Sequence, residues 1–251
     1  MQIVRLALPS GPVFAEIDGD RAFPLDAPPW LGGRRDGAAL PWRTQRLLAP
    51  VLPPKILCVG RNYAEHAKEL GNEVPKEPLL FLKPSSSLIG PGDAIVLPAE
   101  SKRVEHEAEL GVVIGTRAKA VREQEALDFV YGYTCVGDIT ARDLQKSDGQ
   151  WSRAKGFDTF CPVGPVVETR LDPRDLAVRC RVNGVTRQDG RTSQMVFSVA
   201  ALVAYASRMM TLEPGDLLVT GTPSGVGPLV GGDRLEIDIE GIGVLACDVR
   251  G

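Results

Sequence analysis

The stretch VEHEAELGVVIG, residues 104–115, sets Glu105, Glu107 and Glu109 two apart and runs directly into the apolar Leu110-Gly-Val-Val-Ile114. Side chains alternate along a β-strand, so this spacing predicts three carboxylates on one face of one strand. A second apolar run, Tyr131-Gly-Tyr-Thr-Cys-Val-Gly137, reads as a neighbouring strand that ends in Asp138 and brings a further acid to the same place. Two carboxylates ~4 Å apart repel by about 4 kcal/mol at an effective dielectric of 20, so the cluster needs an offset. Either water solvates an open strand end, or a divalent cation sits among hard oxygen ligands.

The rest of the chain frames that pair of strands. Its 251 residues suit one large domain, or a domain with a small appendage, and bury enough surface to fold without staples. A net charge of −3 with both signs interspersed gives no electrostatic reason to expect nucleic acid or an anionic membrane. Five cysteines form no CxxC pair, and three of them (Cys58, Cys135 and Cys247) lie within apolar runs where the thiol acts as a small hydrophobe. With no signal-peptide pattern and no apolar run near the ~18 residues of a membrane span, the expected location is a reducing cytoplasm.

Residues 1–24 read as a small β-meander, 24–41 as a Pro/Gly/Arg connector, and Thr44–Ala49 as a short helical piece before Pro50. A soft boundary near residue 50 separates this N-terminal region, 1–50, from the remaining 51–251. Lys55–Gly60 predicts a buried strand. The helix after it carries Asn62 as N-cap and Glu65 as capping-box partner, with Gly71 as terminator. Pro78–Lys83 is a further strand, Arg122–Tyr131 a short helix, and Gln150–Pro162 a long irregular connection. Asn183-Gly184 marks a hairpin, and Ser198–Met210 an amphipathic helix with Val199, Leu202, Val203, Ala206 and Met210 on one stripe. A closing hairpin pairs Asp233–Ile239 with Gly243–Val249. Strand outweighs helix and no strict βαβ alternation occurs, which disfavours a doubly wound sheet.

Familiar motifs fail one by one. The turn TGTPSGVG at 220–227 lacks the Lys-Ser/Thr of a phosphate-binding loop, and no nucleophile elbow is present. Of the two histidines, His66 has Glu69 one helical turn on, an arrangement that orients an imidazole as a base; His106 alternates to the face opposite the acids and reads as structural. Lys155, beside Gly156 and Phe157, is either partly desolvated or an ordinary surface lysine.

Six segments taken in order, GRNYAEHAKELG, EPLLFLKPSSSL, EHEAELGVVIG, GDITARDLQ, AKGFDTFCPVGP and TGTPSGVG, resemble the fumarylacetoacetate hydrolase family from about Lys55 to the C-terminus. The resemblance implies an α+β, β-rich fold of mixed sheets rolled around a metal site, with a small N-terminal β-region. It implies one Mg2+ or Mn2+ per chain held by Glu107, Glu109 and Asp138, and a His66–Glu69 dyad on a lid helix. Lys155 faces the substrate in this reading and stabilises an enolate rather than the fold. Gln145 and Thr222 are implied substrate contacts, as is Arg142 unless it braces Asp138 from behind.

The activity implied is metal-dependent hydrolysis of a C–C bond in a small 2,4-dioxo acid or oxo-dicarboxylate through a stabilised enolate. The alternative is an isomerase or decarboxylase acting on a 2-hydroxyhepta-2,4-diene-1,7-dioate or oxaloacetate in aromatic catabolism. A non-catalytic carboxylate-binding domain is the rival from another class, disfavoured because a binder needs no oriented base. The family also implies a homodimer. The segment Arg61–Pro78, with a short helix and a polar, proline-containing tail, is expected to be a lid that orders on ligand.

Overall fold

A computed structural model describes residues 1–251. The N-terminal segment contributes β1 (Gln2–Leu8), β2 (Gly11–Asp18), β3 (Arg21–Pro24), β4 (Leu40–Pro41) and β5 (Arg46–Leu48). Then come β6 (Ile56–Gly60), α1 (Ala64–Glu69), β7 (Leu79–Lys83), β8 (Leu88–Ile89), β9 (Ala94–Val96), β10 (Val104–His106) and β11 (Ala108–Ile114). The middle of the chain supplies β12 (Val130–Gly137), β13 (Thr140–Ala141), α2 (Arg142–Asp148), α3 (Ser152–Gly156), β14 (Cys161–Glu168), β15 (Ala177–Val182) and β16 (Val185–Arg191). It closes with α4 (Val199–Met209), β17 (Leu217–Val219), β18 (Gly227–Pro228), β19 (Arg234–Ile239) and β20 (Gly243–Arg250).

One large sheet runs β4-β3-β2-β1-β14-β12-β11-β17-β6-β7, with β5 on β1 and β8 on β14. A three-stranded sheet, β13-β10-β18, and a five-stranded one, β16-β15-β19-β20-β9, pack beside it. Most pairs are antiparallel, whereas β17–β6, β8–β14 and β9–β20 are parallel, so the sheets are mixed as expected and none closes into a barrel. Every residue of β11 is buried, as a central strand with packing on both faces requires. Its period of two is visible in the packing: Leu110, Val112 and Ile114 enter the larger core, and Val113 enters a second core with Ile3, Trp30, Cys58 and Val136. The register pairs Ala108 with Gly137 and Glu109 with Val136, and the Asp138 N–H donates to the Glu107 carbonyl at 2.9 Å. That register carries Glu107, Glu109 and Asp138 to one end of the sheet.

Several local expectations change. Thr44–Ala49 is not helical: Arg46–Leu48 extends along β1, where pairing with Arg5, Leu6 and Ala7 outweighs a weak helical pattern. Gln150–Pro162 contains the helix α3, and 123–129 is a 3-10 helix. Asn62 does not cap α1; Tyr63 takes that place in extended conformation with no side-chain cap bond. The buried Asn62 amide donates to the carbonyls of Phe197 (3.0 Å) and Thr220 (2.8 Å) and accepts from the Phe197 N–H (2.8 Å). The hairpin turn holds, with Asn183 and Gly184 at φ +54° and +77°, and α4 buries Val199, Leu202, Val203 and Ala206 of the predicted stripe behind a Ser198 cap, with Met210 half-buried just past its end.

Candidate metal centre and catalytic cavity

The acidic strand does not continue through Glu107. Val104–His106 joins the three-stranded sheet and Ala108–Ile114 the large one, with Glu107 at the crossing. The expected row of three acids is thereby divided. Glu107, Glu109 and Asp138 each offer an oxygen within 4.8 Å of the others, all three buried, whereas Glu105 turns to Arg103 (2.6 Å) and Arg142 (2.7 Å).

Three buried cations answer the four buried carboxylates Glu105, Glu107, Glu109 and Asp138. Arg142 holds Glu105 and Glu107 together and donates to the Gln145 carbonyl at 2.6 Å. It thus braces the glutamates, not Asp138. Lys155 bridges Glu107 (2.7 Å) and Asp138 (2.5 Å), and Lys83 reaches Asp138 from the other side at 2.8 Å. Glu109 has no side-chain cation; it accepts only the Gly221 N–H.

The electrostatics follow these partners. Burial pushes the Glu107 carboxyl up, but Lys155 and Arg142 outweigh it and hold the group well below the usual carboxylate range. Burial pushes Glu109 up, the charges of Asp138 and Glu107 add to it, and the single backbone donor does not reverse the result. Burial works against the Lys155 charge, yet Asp138 and Glu107 prevail and raise its pKa, so it is an ammonium and not a base. An all-oxygen set with one uncompensated carboxylate suits a hard divalent ion such as Mg2+ or Mn2+. The Tyr63 hydroxyl, buried and without a protein partner, is a further polar atom left open, and the charge of Glu109 helps raise its pKa.

The other half of the site is the dyad. His66 is buried with Nδ1 3.3 Å from Glu69 Oε2, so Nε2 is the nitrogen left for a ligand. Glu69 is itself held by the Gly225 N–H, at 3.0 and 3.2 Å to its two oxygens. The turn 220–227, read from sequence as a failed phosphate loop, therefore anchors one carboxylate in each half of the site. Glycine is required at both anchors. Gly221 has φ +97° and a Cβ there would stand 2.7 Å from that of Asn62; at Gly225 (φ +99°) it would stand 2.1 Å from the Arg187 carbonyl oxygen.

These groups open on one cavity of about 340 Å³, lined among others by His66, Glu107, Glu109, Asp138, Arg142, Gln145, Lys155 and Thr222. Eight of the nine expected site residues thus share a wall, and Glu69 supports the ninth position from behind His66. The Thr222 hydroxyl is already engaged, donating to the Ala108 carbonyl (2.9 Å) and accepting from Gln188 (2.7 Å). His106 is buried away from the cavity, against Gln188 and Cys180, where burial lowers its pKa. Sequence reasoning missed Lys83, Asn62, Gly221 and Gly225. Lys83 had a visible signal: it shares the strand face of Leu79 and Phe81 and lies in an otherwise apolar run.

Fold and site together define a strand-rich enzyme scaffold whose pocket joins an oxygen-ligand cluster to a His–Glu dyad. The family model described as fumarylacetoacetate (FAA) hydrolase C-terminal matches residues 55–250, and one described as Rv2993c-like, N-terminal, matches 1–50. The chain belongs to the fumarylacetoacetate hydrolase family, whose members are enzymes, and it is one. The crystal structure of 2-hydroxyhepta-2,4-diene-1,7-dioate isomerase from Mycobacterium marinum superposes with a TM-score of 0.92 at 46% identity, covering 100% of this chain and 98% of that one. Oxaloacetate tautomerase fahd2, mitochondrial, of Xenopus laevis is 47% identical over 81% of this chain and 68% of its own. Fumarylpyruvate hydrolase from Pseudomonas aeruginosa, in complex with Mn2+ and pyruvate, gives a TM-score of 0.75 at 35% identity over 82% of this chain and 91% of that one. No helix is long and apolar enough to cross a membrane.

Proposed function

We propose that the chain is a Mg2+- or Mn2+-dependent enzyme that interconverts the enol and keto forms of a small 2-oxo acid, with His66 transferring the proton. The observation that carries this reading is the buried His66–Glu69 pair on the same cavity wall as Glu107, Glu109 and Asp138. Those three carboxylates would hold the ion, whose chemistry is Lewis acidity toward the 2-oxo group. His66, fixed through Nδ1 by Glu69, takes or returns a proton at the carbon beside that group. The Lys155 ammonium lies where negative charge develops on oxygen, fully desolvated and already oriented by two carboxylates. The Gln145 amide nitrogen remains free to position a substrate oxygen, since its carbonyl is taken by Arg142. Leu70, Phe81 and Trp151 line the same space and keep bulk water from the proton in transit.

Hydrolysis of a C–C bond, placed first from the resemblance alone, needs everything above and a positioned water as well. Proton transfer needs only the groups present, and the isomerase and tautomerase relatives share more identity with this chain than the hydrolase does. The hydrolytic reading keeps one specific support: Glu69, held by Gly225, fixes His66 firmly enough to deprotonate a water. Oxaloacetate supplied as the enol, followed by its ultraviolet absorbance with Mg2+ present, tests the proposal against cleavage of acetylpyruvate. Wild type accelerates ketonisation, and His66→Ala lowers that rate by roughly 10²–10⁴-fold. Acetylpyruvate cleavage without tautomerisation would replace this reading by the hydrolytic one.

The homodimer and a place in aromatic catabolism are proposals from the resemblance, and the cytoplasmic setting is one from the sequence pattern and its cysteines. All five cysteines are buried and unpaired, which accords with a reducing compartment. Light scattering near about 54 kDa, twice the 27.0 kDa chain, checks the dimer; a value at the single-chain mass removes it.

A further inference from the structure

The acidic strand loses one of its neighbours where it carries the site. β17 runs beside β11 as far as the pair Gly111–Val219, and β18 resumes beside β10 at His106–Gly227. Between those pairs the chain leaves the sheet as the turn 220–227, so no strand lies beside Ala108 on that edge. Ala108 is the residue that separates Glu107 from Glu109. The bond from the Asp138 N–H to the Glu107 carbonyl makes Ala108–Gly137 a non-hydrogen-bonded pair of the ladder. The Ala108 N–H and C=O therefore face away from β12, into the gap, and being buried they need partners.

Two side chains supply them. Gln188 Oε1 accepts from the Ala108 N–H at 3.0 Å, and the Thr222 hydroxyl donates to the Ala108 carbonyl at 2.9 Å. Gln188 Nε2 joins the pair, donating to Thr222 Oγ1 and to the Pro223 carbonyl at 2.7 Å each. A backbone N–H only donates and a carbonyl only accepts, so these contacts fix which way the amide points. Its oxygen also faces His106 Nδ1 at 3.2 Å, so that nitrogen carries the proton and the fully buried amide is saturated. Gln188 comes from β16, in another sheet. There Cys180 pairs with Gln188 and Arg181 with Thr186, which leaves Arg187 as the extra residue of a β-bulge that re-aims the side chain after it. The bulged strand is moulded to the turn: a Cβ on Gly190 would stand 2.5 Å from that of Pro223.

We propose that Gln188 is a positioning residue of the metal centre: with the Thr222 hydroxyl it stands in for the missing strand beside Ala108 and fixes the peptide between the Glu107 and Glu109 ligands. This rests on the reading of Glu107, Glu109 and Asp138 as ligands of a divalent ion. Without the clamp only β12 holds that peptide, and two carboxylates that repel each other can swing apart about it. With the clamp their separation is set before the ion arrives. The Thr222 hydroxyl proton is committed to the backbone, so Thr222 acts here through Ala108.

The test is calorimetric binding of Mn2+ to the full-length, substrate-free protein. The electron paramagnetic resonance spectrum of the bound Mn2+ reports its ligand geometry, and thermal unfolding in EDTA reports the fold. Gln188→Met keeps the length of the side chain and loses every hydrogen bond; Mn2+ affinity should fall by about 10–100-fold and the spectrum should change. Thr222→Val removes only the hydroxyl and should weaken binding by about tenfold, whereas Thr222→Ser keeps the hydroxyl and the wild-type affinity. Should Gln188→Met not fold, the two Thr222 variants decide. A merely structural clamp would lower the melting temperature in EDTA and leave Mn2+ affinity and spectrum unchanged. That result, or equal affinity in Thr222→Val and Thr222→Ser, overturns the positioning role alone. Wild type that binds no Mn2+ removes the metal reading and this role with it.

Discussion

At the scale of single residues, Glu109 decides the character of the site. It is the one buried carboxylate whose only partner is a backbone N–H, and burial with two neighbouring carboxylates raises its pKa. In the metal-free protein its charge opposes folding. Glu109→Gln keeps the shape and the Gly221 contact while removing that charge, so its metal-free melting temperature should rise by about 2–4 °C, on the order of 1 kcal/mol for a chain of this size. The same variant should lose the upward shift that Mg2+ or Mn2+ gives wild type. A lower metal-free melting temperature with the metal shift intact would show that Glu109 is structural. Lys155 behaves oppositely. The reading from sequence left it either desolvated or on the surface and expected its loss to spare the fold, but it is buried and bridges two carboxylates. Lys155→Met therefore removes one partner of a buried network and should destabilise the metal-free protein by roughly 3–5 kcal/mol, besides lowering turnover by orders of magnitude. Thermal unfolding in EDTA and with saturating Mn2+ separates the two effects, because the added cation compensates the stability and not the activity. The acids of the site were legible because a strand period of two is written in the sequence. Lys83 was not, because which lysine meets Asp138 depends on a strand four positions away in the sheet order, β7 against β12.

At the scale of elements, the helix α1 and the turn 220–227 act as one unit. The short helix was expected to depend on its own capping box and to order only with ligand. Instead Asn62 ties its entrance to Phe197 and Thr220, Tyr63 pairs with Met195, and Tyr63, His66 and Ala67 are buried. Counting apolar side chains underestimated the docking because an asparagine with three hydrogen bonds does the anchoring, and its partners lie more than 130 residues away. The same long separation hid the two glycines. Any lid motion is thereby confined to the part of Arg61–Pro78 beyond Ala67, where Lys68, Glu69 and 71–77 are mostly exposed. Gly225→Ala tests the coupling of helix and turn. A Cβ against the Arg187 backbone displaces the turn and withdraws the N–H from Glu69, so kcat should fall about tenfold or more while the metal-induced melting shift persists. Loss of metal binding in this variant would mean that the turn is one rigid piece through Gly221. Amide exchange that is fast across 62–67 in the ligand-free protein would contradict the docked helix altogether.

At the scale of the whole molecule, the question is whether the first fifty residues are a separable appendage. Composition suggests a soft boundary near residue 50, and the two matching family models divide there as well. The sheet does not divide. β1 pairs with β14 through Gln2–Glu168 and Ile3–Val167, the Met1 ammonium sits 2.9 Å from Glu168, and β14 pairs in turn with β12, which leads into Asp138. Trp30, from the stretch that reads as a connector, is buried edge-on against Phe14 and Tyr131, with centroids 5.3 and 5.7 Å away. Ile3, Phe14, Leu25 and Trp30 share the smaller core with Cys58, Val113, Val136 and Val163, which belong to the strands that carry the site. Sequence composition marks where a segment changes character, but not which sheet edge it will complete. We expect the intact chain to unfold in a single calorimetric transition. Removal of residues 1–50 strips β1, together with the β5 paired to it, from the edge of β14 and opens one side of a packed core, exposing unpaired backbone and apolar surface together. The fragment 51–251 should therefore aggregate, or melt at least ten degrees lower, with metal binding weakened because β12 loses its support. Two resolved transitions in the full chain, or a fragment as stable and as active as the whole, would instead establish 1–50 as an independent domain.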